Sequence, residues 1–170
     1  MRKNFTLILL LSLQVLLLSC NNNNDSNKLE AIVFVAPQCP ISEAILLNLN
    51  QISEEFDSNQ VVIKLIVPGE LYTRSEIDSF VDANNIKHQI IVDSQAVLVK
   101  KYSATITPEV FLISNGKVIY SGAIDDRALD NEIIRQSATE NYLSDAIQQS
   151  LKGEELKVKK TKAVGCYIEL

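Results

Sequence analysis

The sequence has few of the residues on which several common functions depend. Of its 170 residues only three are cysteine and one is histidine, and 16 Lys and Arg stand against 21 Asp and Glu. The acidic balance argues against nucleic acid as a partner and against adhesion to anionic lipid headgroups. No apolar run reaches the roughly 20 residues of a membrane-spanning helix. There is no internal repeat, and the hydrophobic fraction of 46% suits one globular domain.

Residues 1–19 have the composition of an export signal. Arg2 and Lys3 form a basic start, residues 5–18 form a short apolar run, and "LLSC" closes it at Cys20. This ending resembles the lipobox of bacterial lipoproteins. The resemblance implies cleavage before Cys20, which then carries lipid as the first mature residue. The alternative is an ordinary signal peptide that contains a cysteine.

The residues after the lipobox predict a tether followed by one domain. "NNNNDSN" cannot build a core, so residues 20–29 are expected to be a lipidated cysteine and a flexible linker to a domain at 30–170. Loss of the signal removes two of the 16 basic residues and no acidic ones, so the mature net charge is 14 minus 21, or −7. Acyl chains would attach the protein to a bacterial membrane. We therefore expect a cell-envelope location that faces the periplasm or the exterior.

Short apolar runs predict the strands. Residues 30–36, 61–67 and 89–92 are rich in branched side chains and are typical of buried strands. Asn115-Gly116, between two further apolar runs, predicts a β-hairpin. The order is strand and helix three times, then strand, strand and helix. It predicts an α/β fold with a parallel βαβ start, a late antiparallel pair and helices flanking a mixed sheet.

Helices are predicted by periodicity and by capping patterns. Thr73 and Glu76 form the pattern of a capping box at the start of the second helix. Ser137 and Glu140 are expected to cap the last helix, and Gly153 to end it. The first helix is indicated by apolar residues at helical spacing: Ile41, Ile45, Leu49, Ile52 and Phe56.

Cys39 lies where the first strand gives way to the first helix. Open α/β sheets carry their chemistry at the carboxyl ends of parallel strands. Free N–H groups and the helix dipole at that point stabilise a thiolate and lower a cysteine pKa below its usual value of about 8.5. Pro40 suits the first helical turn. The Ser42 hydroxyl is a candidate donor to the thiolate.

This arrangement resembles the thioredoxin-like superfamily, and in particular bacterial redoxins of the alkyl-hydroperoxide-reductase or thiol-disulfide-exchange type. "APQCPIS" matches the active-site turn of that family. Thr107-Pro108, within "IIVDSQAVLVKKYSATITPEVFLI", matches the loop that holds a cis-proline beside the active thiol. "TKAVGCYI" resembles the end of exported redoxin-domain proteins that have a cysteine near the C-terminus.

The resemblance implies a thioredoxin-like fold and a lipid-anchored thiol-disulfide oxidoreductase. Cys39 would be the attacking thiol, the partner a protein with a thiol or a disulfide, and no cofactor is implied. If Thr107-Pro108 is cis, the Thr107 backbone would be open beside Cys39 to pair with an extended substrate strand.

The sequence departs from the family where the second cysteine of Cys-x-x-Cys would be, since Ser42 stands there. A lone attacking thiol can form a mixed disulfide but cannot release its partner by local ring closure. Cys166 could attack the mixed disulfide and release the partner, or an outside thiol could do so. Alternatively, the protein is a non-catalytic binding module. Cys166 could also form a permanent disulfide with Cys39, or be a small buried hydrophobe.

Two other functions follow from the same cysteines. A pair of thiols suits Cu(I), but the family's copper-delivery members use Cys-x-x-x-Cys with a histidine, and His88 is interpreted as a surface residue. No metal site is therefore predicted, and Cu(I) bound by Cys39 and Cys166 stays an alternative for a binding module. In a thiol peroxidase, Cys39 would be oxidised to a sulfenic acid. Ala36 occupies the position of the threonine that true peroxiredoxins have three residues before their cysteine.

Overall fold

A computed structural model describes residues 28–130 and 133–170. The expected export signal, Cys20 and most of the expected tether lie outside these residues. The strands are β1 (Leu29–Phe34), β2 (Val61–Pro68), β3 (Gln89–Asp93), β4 (Ile106–Thr107), β5 (Glu109–Ser114), β6 (Lys117–Gly122) and β7 (Cys166–Tyr167). The helices are α1 (Pro40–Glu55), α2 (Arg74–Ala83), α3 (Val97–Tyr102) and α4 (Tyr142–Leu151).

Five strands form one mixed sheet in the order β3-β2-β1-β5-β6. β1 pairs in parallel with β2, and β2 with β3, whereas β5 runs antiparallel to both β1 and β6. The parallel start, the late antiparallel pair and the flanking helices confirm the predicted fold class. A second, two-stranded sheet of β4 and β7 was not predicted. No helix within 28–130 and 133–170 is long and apolar enough to cross a membrane.

Strand β1 separates two apolar layers, because alternate side chains of a strand point to opposite faces. Ala31 and Val33 pack with apolar residues of α1, α2 and α4. Ile32 and Phe34 pack on the other face with residues of α3 and of β5. Because both faces of β1 are covered, its sequence is a nearly continuous apolar run rather than an alternation of apolar and polar residues.

Local sequence signals correctly located three element ends. The capping box is present, since Glu76 N–H donates to the Thr73 hydroxyl and Thr73 N–H donates to the Glu76 carboxylate. Asn115 and Gly116 have φ of +49° and +73°, the left-handed backbone that a two-residue hairpin turn requires. Gly153 has φ of +71° directly after the C-cap of α4.

The predicted cap of the last helix is wrong. The N-cap of α4 is Asn141, which makes no side-chain capping bond, and Ser137 lies four residues earlier. The N–H of Leu143, in the first turn, donates to the carbonyl of Ile124 at 3.0 Å. A backbone partner from the segment after β6 therefore does what a capping side chain would have done, and Glu140 is not needed for it.

Helix α1 positions the candidate site, and one face of it carries its stability. Leu49 is 0% exposed within the core, whereas Leu47 on the same helix is 65% exposed. We expect Leu49→Ala to lower the free energy of unfolding by about 2–5 kcal/mol, and the control Leu47→Ala by less than about 0.5 kcal/mol. Urea denaturation of both variants measures this difference. Equal losses would contradict the orientation of α1.

Candidate active site

Cys39 is the N-cap residue of α1. A tight turn brings it there: its N–H donates to the Ala36 carbonyl at 3.3 Å, and Gln38 has a left-handed backbone with φ of +64°. Its own carbonyl accepts a helical hydrogen bond from Glu43 N–H at 3.1 Å. Cys39 is 2% exposed. Its thiol therefore lies at the positive end of the helix dipole, as the sequence indicated.

The fold brings Cys39 and Cys166 together across 127 residues of chain. Their Sγ atoms are 2.9 Å apart, and both cysteines are free. A disulfide bond is about 2.05 Å long, so the two thiols are in contact without being bonded. Cys39 is buried and Cys166 is exposed. Cys39 is thus enclosed by the protein, whereas the residue that contacts it, Cys166, is exposed.

The two thiols have opposite pKa shifts. Burial opposes the ionisation of Cys39, but the hydrogen bond from the Cys166 thiol and interactions with Ser42 outweigh it, so the pKa of Cys39 is lowered. Burial, the same hydrogen bond and the charge on Cys39 raise the pKa of Cys166 to about 11. Of the two thiols, Cys39 is therefore the one that ionises more readily, and the Cys166 thiol donates to its sulfur.

Ser42, in place of a second motif cysteine, is a buried polar side chain at the start of α1. It is 0% exposed, and its Oγ accepts a hydrogen bond from Ala36 N–H at 3.2 Å. The oxygen accepts this bond, and the hydroxyl hydrogen remains available to donate to the Cys39 sulfur. That donation lowers the pKa of Cys39. Ser42 thus supports both the turn before Cys39 and the thiolate itself.

We expect Ser42→Ala to raise the pKa of Cys39, because the variant loses the hydroxyl that favours the thiolate. The rate of alkylation of Cys39 follows its thiolate, so its midpoint should move to higher pH. Stability should fall by about 1–3 kcal/mol, since Ala36 N–H loses its acceptor. Alkylation against pH, read by mass spectrometry, measures the shift. Ser53→Ala, at an exposed position of α1, is the control. An unchanged midpoint would contradict the role of Ser42.

The Thr107–Pro108 peptide bond is cis, as the resemblance implied, but the expected open Thr107 backbone is wrong, because residues 166–167 pair with this segment. The Thr107 carbonyl oxygen is 3.4 Å from the Cys39 sulfur, and Thr107 is 1% exposed. As a thiol, Cys39 can donate to this carbonyl; as a thiolate, it accepts from Cys166. The loop therefore borders the reactive sulfur.

Two features of the site were missed by sequence reasoning. Residues 166–167 form β7, which pairs with β4 beside Cys39. The only signal was the short apolar run "AVGCYI", which names no partner strand. Tyr72 packs against the cluster of Cys39 and Ile41. Burial and the charge on Cys39 raise the pKa of Tyr72, so its phenol stays protonated beside the thiolate.

His88 does not join the site. It is partly buried rather than on the surface, and it lines a cavity of about 300 Å³ together with Phe56, the C-cap residue of α1. Cys39 lies at the other end of this 16-residue helix, roughly 24 Å away along the axis. Burial lowers the pKa of His88. Within the described part of the chain, no three His, Cys, Asp or Glu side chains are grouped to hold a metal ion.

Comparison with known proteins identifies the fold. No family model matches the sequence. No curated protein matches it either. Among solved structures, an uncharacterized conserved protein from Geobacillus kaustophilus is 20% identical, covers 86% of this chain and 79% of its own, and superposes with a TM-score of 0.75.

Two further solved structures have names that state an activity. One is the thioredoxin domain of a thiol-disulfide oxidoreductase from Bacteroides vulgatus, with 10% identity, coverage of 76% and 84%, and a TM-score of 0.55. The other is a secreted disulfide oxidoreductase from Mycobacterium tuberculosis, with 16% identity, coverage of 76% and 84%, and a TM-score of 0.50. With its five-stranded mixed sheet and these structural neighbours, the chain has the thioredoxin-like fold.

Proposed function

We propose that the protein is a thiol-disulfide oxidoreductase in which Cys39 attacks and Cys166 resolves. The observation that carries this proposal is the contact between two free thiols, 2.9 Å apart, whose pKa values are shifted in opposite directions. Two neighbours with the same fold are oxidoreductases of this kind by name. Cys166 supplies the second thiol that the turn lacks at Ser42.

In the first step the Cys39 thiolate attacks one sulfur of a substrate disulfide. A Cys39–substrate disulfide forms, and the other substrate sulfur leaves as a thiolate. In the second step Cys166 loses its proton and attacks the Cys39 sulfur, which releases the remaining substrate thiolate. The protein ends with a Cys39–Cys166 disulfide, having given two electrons to the substrate. The proton of Cys166 passes to a leaving thiolate or to water.

The environment of Cys166 changes in favour of the second step. Burial raises its pKa first, and the hydrogen bond to Cys39 and the charge on Cys39 add to that. In the mixed disulfide Cys39 carries no charge, so the electrostatic part of the shift disappears. Cys166 therefore ionises more easily at the step in which it must attack. Run in reverse, the same steps let the Cys39–Cys166 disulfide oxidise a substrate dithiol, and neither direction needs a cofactor.

The test is a single turnover of the reduced mature chain, without Cys20, with a disulfide-bonded peptide. Products are trapped by acid and alkylation and weighed intact. The proposal predicts one reduced peptide for each protein that acquires an internal disulfide. Reduction of the peptide no faster than by a small dithiol at the same concentration would contradict it.

We further propose that the protein is anchored in the cell envelope through lipid on Cys20. The support is the basic start, the apolar run and the "LLSC" ending of the first 20 residues. When the full chain is expressed with a radiolabelled fatty acid, we expect label in the membrane fraction and no label in Cys20→Ser. Label that persists in Cys20→Ser, or a wild-type chain without label, would overturn this proposal.

A further inference from the structure

The C-terminal segment occupies the backbone edge beside the reactive sulfur. β7 runs antiparallel to β4, with Cys166 opposite Thr107 and Tyr167 opposite Ile106. The N–H of Ile168 donates to the Thr105 carbonyl at 3.0 Å. Through these contacts a short extended segment places its cysteine sulfur 2.9 Å from that of Cys39. An extended substrate segment would need this same edge to present its own sulfur.

We propose that the extended partner segment expected to pair with the β4 edge carries a glycine directly before its reactive cysteine. Residues 164–168, the docked tail, occupy this edge as an internal mimic of that segment. This inference rests on the proposed function, because it names the kind of substrate on which Cys39 acts.

The glycine requirement comes from a close backbone approach. A Cβ on Gly165 would lie 2.1 Å from the Thr107 carbonyl oxygen and 2.7 Å from its carbonyl carbon. Both are backbone atoms of the loop that borders Cys39, so they cannot turn aside as a flexible side chain would. A partner segment in the same register meets the same carbonyl one residue before its cysteine. Only glycine fits there without moving the loop.

The docked tail follows a firmly held base at Thr161, and most of its own residues are exposed or half-buried. At the base, the Thr161 hydroxyl bonds Tyr120 Oη at 2.6 Å and accepts from Ala123 N–H at 2.9 Å. Beyond it, β7 has only two residues, and Tyr167 and Leu170 are 78% and 73% exposed. Val164 and Ile168 pack against the core but are only half-buried, and the paired strand is two residues long. Local opening of the tail should therefore need less free energy than unfolding of the domain, so that the tail can leave the β4 edge while the base stays in place.

Docking and resolution then alternate. A partner cysteine opposite Thr107 takes the place of Cys166, so Cys166 is displaced while Cys39 attacks. The Cys39 thiolate bonds to the partner's cysteine sulfur, and the sulfur that was bonded to it leaves as a thiolate. Return of the docked tail brings Cys166 back to the Cys39 sulfur and expels the partner segment as its thiolate.

The test uses the mature chain without Cys20 and with Cys166→Ser, so that Cys39 is its one remaining thiol and no internal disulfide forms. The probe is the peptide KAVGCYIEL, residues 162–170, with its cysteine in a mixed disulfide with thionitrobenzoate. Attack by Cys39 on the peptide sulfur releases the coloured thiolate. Alanine in place of the peptide glycine should slow release by about tenfold or more, as expected for an overpacked contact. Alanine in place of the peptide glutamate, an exposed position in the tail, should change the rate less than about twofold.

A second measurement uses Gly165→Ala in the Cys166→Ser protein and compares the rate of its reaction with the glycine peptide. The tail would then be a poorer occupant of the edge, so the glycine peptide should react faster than with the parent. Equal rates for the glycine and alanine peptides, or a glycine peptide that reacts no faster with Gly165→Ala, would overturn the inference. The symmetrical thionitrobenzoate disulfide needs no docking and reports Cys39 alone. If that reagent is not attacked either, the proposed function itself fails.

Discussion

Replacing Cys39 with alanine is expected to reduce thiol-disulfide exchange to the background rate, a loss of at least about three orders of magnitude. Cys39 is the only one of the two site thiols whose pKa is lowered, so it supplies the thiolate. Cys166 is a poor substitute, because burial still raises its pKa when Cys39 is absent. Single-turnover reduction of a disulfide peptide measures the loss.

The control is the double variant Cys39→Ala/Cys166→Ala. Removing Cys39 also removes its charge and hydrogen bond from the neighbourhood of Cys166, which lowers the raised pKa of that thiol. Any exchange left in the single variant and absent from the double variant therefore belongs to Cys166. A Cys39→Ala protein that is folded by circular dichroism and exchanges disulfides at the wild-type rate would contradict the account.

Replacing Cys166 is expected to stop the cycle at the mixed disulfide. Cys39 can still attack a substrate disulfide, but no thiol in the site can then expel the bound substrate. Intact mass should show the protein with one substrate half attached, stable for at least about a hundred times the wild-type turnover time. Added dithiothreitol should release it.

Two substitutions of Cys166 distinguish its role in releasing the bound substrate from its role as a hydrogen-bond donor to the Cys39 thiolate. Cys166→Ser keeps a hydroxyl donor beside Cys39, whereas Cys166→Ala removes the donor and should raise the pKa of Cys39. Both variants should accumulate the mixed disulfide, and only Cys166→Ala should shift the pH dependence of Cys39 alkylation upward. Wild-type turnover in either variant would mean that an outside thiol resolves.

The sequence was sufficient for most of the fold, because its signals there are local. Buried strands read as apolar runs, the Thr73 and Glu76 capping box lies within four residues, and Asn115-Gly116 specifies its own turn. The start of α4 could not be predicted in the same way. The Leu143 N–H in its first turn donates to the carbonyl of Ile124, in a separate segment of the chain, which no local pattern reveals.

In the candidate site, too, only the features set by local sequence could be predicted. Cys39 at a strand-to-helix turn, with Ser42 one turn into the helix, is visible in the order of residues alone. Contact between Cys39 and Cys166 could only be left open, because β4 and β7 are two residues each and 59 residues apart at Thr107 and Cys166. Pairs that short carry no recognisable periodicity. The close approach of Gly165 to the Thr107 carbonyl is invisible without coordinates.

The most direct test of the central claim is the redox equilibrium of the Cys39–Cys166 pair. The mature chain without Cys20 is equilibrated across a series of thiol redox buffers, its free thiols are trapped by alkylation, and the intact protein is weighed. The lowered pKa of Cys39 favours the reduced form. The account therefore predicts a disulfide between these two residues with a potential above roughly −230 mV, as in exchange catalysts. A bond that resists reduction below about −300 mV, or two thiols that never pair, would contradict it.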